Sequence, residues 1–487
     1  MFRTISLFVF ALLLGLIARG QEQNIYTPAP VIKKNVRFIA ETDSLNKLYC
    51  KRITGISKKS EYIRNVFKER KEYLNNAVSN GDFMFDCDIY LYVQQIFDTI
   101  VKYNPPLQGK MRIVVSRYTE PNAFALGDGT IVVNLGLLNR LDNESQLAFI
   151  ICHELSHQYF DHVFNKINLI AEKKFDEDFD KQIKKTLKQE YNVHSKLMAL
   201  VMPLLFDITK YSRTDESQAD SMGLIFLSHT PYNTSESIKA IAKLDLFDLE
   251  KDTNNIDLKK SFDYEDYLFK NEWLTYHGAS SLGAFEYKST AIDDSLKTHP
   301  DCKIRASALE HLYSKLTWAP GKIFLQPEDK FKEISYHAEA EIIETNYRIE
   351  NYGRALFLAL QMSMHFPQDI YSKLIVSRCL SKIYLNRKKH VPYMYVDNTS
   401  NEYFENYNRV LAFINELTMH DLEMLGYLGF QKCGNDKFGS NEDYLFTKLV
   451  IYLAHNDLVI SKSVKENYVA IFKGGKFAEE VTNIKIN

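Results

Sequence analysis

Several features are missing from this sequence, and each absence excludes something. No field of basic charge is present: 60 lysines and arginines stand against 62 aspartates and glutamates, a net charge of −2 over 487 residues. Neither the whole chain nor any local block therefore offers the positive surface that holds a nucleic-acid backbone. Low-complexity tracts are absent too. With 45% hydrophobic and 25% charged residues, the composition is that of a globular protein of two or three domains. The six cysteines, Cys50, Cys87, Cys152, Cys302, Cys379 and Cys433, contain no C-x-x-C pair. In an exported protein Cys50 could bridge to Cys87, or Cys379 to Cys433, a choice the sequence leaves open. Cys152 lies in an apolar helical stretch and reads as a small buried hydrophobe. Beyond residue 20 no apolar run is long enough to cross a bilayer. The richest, Leu197 to Phe206, is about half the needed length and contains Pro203.

The first twenty residues differ from the rest. Met1-Phe2-Arg3-Thr4 supplies one positive side chain, Ile5 to Ala18 is almost wholly apolar, and Ala18-Arg19-Gly20 places small residues at positions −3 and −1 of a cut before Gln21. Residues 1–20 thus read as a cleaved signal peptide, the apolar stretch being short for a span. The expectation is an exported protein with no transmembrane span in the mature chain. No cysteine follows the apolar run to carry a lipid, which suits a bacterial periplasm, with secretion as the other destination.

Residues 21–84 read as a helical amino-terminal extension: a lead-in containing Pro28 and Pro30, then a charged, helix-prone stretch over 44–80. Asp88 to Tyr103 has the pattern of an amphipathic helix stopped by Asn104-Pro105-Pro106. Met111 to Ser116 is β-branched and strand-like. Asn122 to Leu126 and Thr130 to Asn134 flank Gly127-Asp128-Gly129, a hairpin signal, because Gly and Asp tolerate the positive φ of a tight turn. Charged segments at 165–192 and 250–275 look like insertions, the first a candidate lid. The chain beyond residue 330 is helical in character. There the twelve-residue step from Ala355 to Pro367, after Asn351-Tyr352-Gly353-Arg354, resembles one helix of a tetratricopeptide repeat, and an ordinary helical hairpin accounts for it equally well.

Chemistry concentrates in His153-Glu154-Leu155-Ser156-His157. On a helix, positions four apart lie about 40° from one another around the axis, so His153 and His157 project from one face. Two neutral imidazoles so placed can hold one zinc ion, and Glu154, one residue along, sits beside them where a carboxylate can take a proton from an activated water. Asn143 can cap this helix and Gln146 can complete a capping box. The six residues Leu147 to Cys152 are apolar on every face, the mark of a helix buried all round, and buried His and Glu side chains need partners or cost several kcal/mol.

A third ligand must come from elsewhere. His162 lies five residues past His157, about 140° away on a continuous helix, with no glycine between them to turn the chain. It is therefore expected to be structural or on the surface. The best candidate lies in Ser212-Arg213-Thr214-Asp215-Glu216-Ser217-Gln218-Ala219-Asp220. Ser212 with Asp215 looks like a helix start, Glu216 and Asp220 share a side, and Ser217 and Ala219 are small enough for close helix packing. An ordinary solvated acidic first turn fits the same residues.

His153-Glu154-Leu155-Ser156-His157, then Ser212-Arg213-x-x-Glu216-x-x-Ala219-Asp220, then Thr298-His299-Pro300, resemble the three ordered motifs of one gluzincin family of zinc metallopeptidases. That family holds the HtpX heat-shock proteases, the CAAX prenyl endopeptidases and the periplasmic BepA-like proteases. Pro121 to Leu126, Ile131-Val132-Val133 and Gly136-Leu137-Leu138 are similar to the strand pair preceding the zinc helix, although Gly127-Asp128-Gly129 stands where the family has a Pro/Gly-containing turn. The resemblance covers roughly residues 85–315. It implies one Zn2+ per chain held by His153, His157 and Glu216. It further implies Glu154 as general base and proton donor, Asp220 orienting a ligand histidine, and His299 near the oxyanion. Asn122, Ala123, Phe124 and Ala125 would form an edge strand that binds substrate backbone by β-addition. A soluble catalytic domain followed by helices looks most like the BepA-like branch.

The expected fold is α+β and mostly helical: a zincin-type metallopeptidase domain with a small β-sheet over 85–315, followed by an all-α, TPR-like or plain helical carboxyl-terminal region over 330–487. The expected function is zinc-dependent endopeptidase action on exported or envelope proteins in quality control. Its substrates would be proteins or peptides, with the carboxyl-terminal helices meeting envelope partners. The alternative is a chaperone-like or latent protease that mainly binds clients. A structural zinc site would need four protein ligands, and three are found.

Overall fold

The computed structural model describes residues 25–175, 213–247, 256–275, 302–315, 317–390, 395–400, 403–433 and 438–486. The chain splits into two compact units. The sheet-bearing unit takes in the described residues of 29–251 and 288–342, and the helical unit those of 252–287 and 343–487 together with 25–28. Most of the chain is helical around one small mixed sheet, the expected fold class. Among the described residues no helix is long and apolar enough to cross a membrane.

The sheet-bearing unit opens with α1 (Val36–Cys50) and α2 (Lys58–Asn80), then β1 (Phe83–Met84) and α3 (Asp88–Tyr103). Next come β2 (Arg112–Ser116), β3 (Ala123–Ala125) and β4 (Thr130–Asn134), in the order β1-β2-β4-β3. The glycine-flanked turn makes its hairpin: β3 runs antiparallel to β4 with Phe124 opposite Val132. Gly127 and Gly129 take φ of 78° and 91°, the left-handed region in which a side chain is strained. A Cβ on Gly127 would also stand 2.5 Å from Val163. The parallel pairing of β2 with β4, Ile113 opposite Ile131, had no counterpart in the sequence, because a parallel register is set by what covers the two faces and not by a local turn. Val114 and Val132 pack with Phe38, Leu74 and Phe83 of the first two helices and β1. Arg112 ties α1 down further, donating to the Phe38 carbonyl at 2.9 Å and to Thr42 Oγ1 at 2.7 Å.

After the short helix α4 (Leu135–Leu138) comes α5 (Glu144–Tyr159), which carries the H-E-x-x-H motif. Asn143 Oδ1 caps it, accepting from Gln146 N–H at 3.0 Å. The reciprocal bond goes to Asp142 N–H at 2.9 Å, one residue earlier than a capping box would have it. Every residue from Glu144 to Gln158 is buried, as an all-round apolar segment requires. α5 packs on β3 and β4, and Gln158 Oε1 accepts from Gly129 N–H at 3.2 Å, joining hairpin and helix.

The chain turns sharply after α5. Asp161 adopts φ 59°, held by the Arg52 guanidinium through bonds of 2.8 and 2.6 Å, and α6 (His162–Lys174) sets off in a new direction. Later come α7 (Arg213–Ser228) and α8 (Glu236–Leu244). α7 lies against α5, with Ala219 fully buried. Ser217 is exposed and does not serve that contact. The close approach belongs to Gly223 instead: a Cβ there would stand 3.2 Å from the His153 backbone.

In the helical unit, α9 (Leu258–Phe262) and the segment to Thr275 pack with helices from far along the chain. The sheet-bearing unit supplies α10 (Cys302–Ser314) and the first part of α11 (Glu328–Arg348) before the chain enters α12 (Tyr352–His365), α13 (Ile370–Lys388), α14 (Glu405–Glu416), α15 (Met419–Cys433), α16 (Glu442–Ala454), α17 (Leu458–Ile471) and α18 (Ala478–Asn483). Phe262 stacks on Phe413 of α14 with centroids 5.0 Å apart. Tyr267 and Lys270 reach Asp421 of α15 at 2.7 and 2.6 Å. The charged 250–275 insertion is thus, over its described part, a docked element of the helical unit. All six cysteines are unbridged.

Candidate metal centre

α5 and α7 bring the candidate ligands to one point. His153 Nε2 and His157 Nε2 stand 3.0 Å apart. Glu216 places Oε2 3.7 Å from the first and Oε1 3.5 Å from the second. Ligands sharing one tetrahedral zinc, with bonds of about 2.0–2.2 Å, stand about 3.4 Å from each other, and the three observed separations bracket that value. Among the described residues, one other group of three metal-ligating side chains is close enough to share an ion, Asp88, Glu333 and His337. That group is exposed or half-exposed, and Lys330 Nζ already lies 3.5 Å from Asp88 and 3.1 Å from Glu333. Glu154 joins the buried centre with Oε1 4.0 Å from His153 Nε2. All four side chains are at most 2% exposed.

The far nitrogens of the two imidazoles are also engaged. Asp220 Oδ1 lies 3.0 Å from His153 Nδ1, and since a carboxylate only accepts, Nδ1 carries the hydrogen and Nε2 turns its lone pair to the centre. Burial disfavours a protonated His153, yet the Asp220 and Glu216 carboxylates raise its pKa above the ordinary value. The same carboxylates make Nε2 a better electron-pair donor. For Asp220, burial works upward, but Arg305 and His153 hold its carboxyl below the usual range.

Two groups at the centre escaped the sequence. Arg305, on α10, grips Asp220 through Nε at 2.8 Å and Nη2 at 2.6 Å, and its Nη1 lies 2.6 Å from Glu216 Oε2. Burial opposes the guanidinium, but Asp220 and Glu216 raise its pKa. It thus fixes both carboxylates, and a lone arginine three residues into a helix gave no local sign of that. His162 is the second. The left-handed turn at Asp161 cancels the rotation expected on a continuous helix and returns His162 to His157, with Nδ1 to Nδ1 at 2.9 Å. It is buried and outside the ligand group, while its Nε2 lies 3.1 Å from Gln218 Oε1. With the His157 lone pair at Nε2, its Nδ1–H donates to His162 Nδ1, and His162 Nε2–H donates to Gln218.

The donor set fits a divalent cation. Three buried carboxylates (Glu154, Glu216, Asp220) face one buried guanidinium (Arg305), two negative charges in excess when the imidazoles are neutral. Charge left uncompensated at such depth costs several kcal/mol, and a dication meeting two imidazoles and a carboxylate balances it. Of the remaining expected site residues, His299 lies outside the described residues, as do Ser212 and the greater part of the candidate lid. Ala123, Phe124 and Ala125 form the outermost strand of the sheet, β3, and the Asn122 carbonyl accepts from Asn134 N–H at 3.0 Å.

Fold and centre together define the class: a small-sheet, mostly helical metallopeptidase domain. Residues 92–313, a little under half of the chain, match Peptidase family M48. The chain is also 30% identical over 165 residues to "Metalloendopeptidase OMA1, mitochondrial" of Bos taurus, a match covering 32% of this chain and 30% of that protein. The alignment thus spans less than a third of either protein.

Proposed function

We propose that this chain is a zinc-dependent endopeptidase acting on exported proteins, in quality control of misfolded or unassembled envelope proteins. The observation that carries the activity is the convergence of His153, His157 and Glu216 within hydrogen-bonding range of one point, with Glu154 beside them. A zinc ion held there supplies Lewis acidity toward a peptide carbonyl and lowers the pKa of water. The chain's own groups do the rest. Glu154 accepts a proton from the attacking water and returns it to the departing amine. Asp220 and His162 keep the two imidazoles in the tautomers that present Nε2, and Arg305 holds Glu216 and Asp220 in place. β3, at the sheet edge, offers its outer backbone groups to an extended substrate, and His299 serves the oxyanion.

Export is supported by the pattern of residues 1–20: one early arginine and a long apolar run, as in secretory signals and unlike an Arg- and Ser-rich amphipathic transit segment. The relative's name places that protein in mitochondria; the amino-terminal pattern here favours the periplasm. The carboxyl-terminal helices, TPR-like in their Ala355 to Pro367 spacing, would meet envelope partners. The near-complete burial of the centre favours one second form of the function, a latent or client-holding protein that cleaves little. One assay decides between them. Purified chain with one zinc per molecule should degrade an unfolded protein, and Glu154→Gln should keep its zinc and lose that cleavage. Equal turnover by both proteins, or none by either, removes the peptidase reading. Fractionation of cells making the tagged chain tests the compartment.

A further inference from the structure

The helical unit contains a cleft that the metal centre does not use. It has a volume of about 450 Å3 and lies between the α9 segment and helices α12, α13 and α15. Leu360, Met364, Pro367 and Val376 supply its apolar lining. Lys260, Lys373 and Lys432 also line it. Among the described residues none of those ammonium groups has an ion pair within 4.0 Å, whereas Lys270 of the same unit is paired with Asp421. The lining's one carboxylate, Asp257, is engaged as the cap of α9, accepting from Lys260 N–H at 2.9 Å. Lys432 stands 5.6 Å from the centroid of Tyr264, another lining residue.

A second, independent feature points the same way. Ser377 lines the cleft, is 1% exposed, and its hydroxyl has no hydrogen-bond partner among the described residues. A hydroxyl left buried and unpaired is a cost to folding, which a ligand group in the cleft would recover. Gly429 lets α15 approach closely here: a Cβ there would stand 2.7 Å from Ser377 Oγ and 3.0 Å from the Tyr264 hydroxyl.

We propose that this cleft binds the carboxyl terminus of a polypeptide, with the α-carboxylate among the three lysines and an apolar final side chain against the aliphatic lining. Charge complementarity selects an anion, and the apolar lining selects one attached to a hydrophobic group. A fatty acid meets both conditions, but with its single carboxylate held by the lysines its acyl chain offers no further polar group, which would leave the Ser377 hydroxyl unsatisfied. A peptide brings backbone N–H and C=O groups to it. The cleft lies wholly within the helical unit, so this inference stands whether or not the centre cleaves peptides.

The test uses the full chain carrying Glu154→Gln, so that no hydrolysis intervenes, and an amino-terminally fluorescein-labelled hexapeptide ending in leucine, followed by anisotropy. The free acid should bind about tenfold or more tightly than the carboxamide, a difference of at least one charge-assisted contact. Lys373→Ala with Lys432→Ala should abolish that difference, and Ser377→Ala should weaken binding several-fold with unchanged circular dichroism. Equal binding of acid and amide by the parent protein overturns the proposal without any variant. So does displacement of the peptide by oleate at lower concentration than by unlabelled peptide, which would make the cleft a fatty-acid site.

Discussion

Among the described residues each unit holds a buried cluster of several charged groups, and the two balance differently. In the helical unit Arg378 lies 3.3 Å from Glu344 and 3.2 Å from Asp443, while Lys476 lies 3.2 and 2.9 Å from the same two carboxylates. Two cations meet two anions, and Tyr371 donates to Glu344 at 3.2 Å. Burial opposes the Arg378 charge, but Glu344 sustains it and raises its pKa. In the sheet-bearing unit three carboxylates meet one guanidinium, and the remaining polar groups are imidazoles that converge on a point. The first cluster is complete within the chain; the second has the charge and geometry to receive a dication. The difference teaches that burial of charge by itself marks no active site, and that what marks one is the sign of the imbalance together with lone pairs aimed at one place.

Breaking either cluster should sharpen this contrast. The largest effect is expected from Glu154→Gln: loss of about 10²–10⁴-fold in kcat with zinc stoichiometry unchanged by metal analysis. Arg378→Met leaves two buried carboxylates to a single cation, Lys476, and should cost about 3–5 kcal/mol in denaturant unfolding, while the folded fraction keeps its full zinc. If zinc were lost in parallel, the two clusters would not be independent. Removing zinc with a chelator should lower the stability of the sheet-bearing unit by about 3 kcal/mol if the metal is present at a hundred times its Kd, moving its calorimetric transition and leaving that of the helical unit in place. His162→Ala should weaken zinc affinity about 10–100-fold; an unchanged affinity would show that the His157–His162 contact does not orient the ligand.

The smallest effect concerns pH. Burial works to raise the Asp421 pKa, but Lys270, Thr418 and Tyr267 hold its carboxyl well below the ordinary range. A depressed carboxylate contributes stability above its unfolded pKa of about 3.9 and loses it as pH falls toward the folded value. The helical unit should therefore weaken below about pH 4. Asp421→Asn should flatten that dependence and cost about 1 kcal/mol at neutral pH, measured by unfolding at a series of pH values.

What could be read in advance was local. α5 was legible because its cap, its all-round apolar stretch and its H-E-x-x-H spacing lie within sixteen successive residues and obey one helical period. The β3–β4 turn was legible because Gly127 and Gly129 supply the positive φ it needs. Glu216 and Asp220 were legible as a pair four apart, though spacing left their role open, and the family resemblance supplied it. The direction of His162 was not legible, because the rotation of about 140° holds only on a continuous helix. The break comes from Asp161, a non-glycine residue held left-handed by Arg52, 109 positions earlier in the chain.

The sequence by itself thus determined the zinc-type helix, its two imidazoles and its neighbouring carboxylate, since these depend on backbone period and side-chain type alone. Only the tertiary structure decided that Glu216 comes within 3.7 Å of both imidazoles, that Arg305 and His162 bond to this group, and that residues 256–275 leave their sequence neighbours to join the helical unit. The physical reason is range. Periodicity and capping act over a turn or two of helix, whereas a shared ligand point, a buried arginine and a docked insertion arise from contacts between segments far apart in sequence, formed when burial brings those segments together.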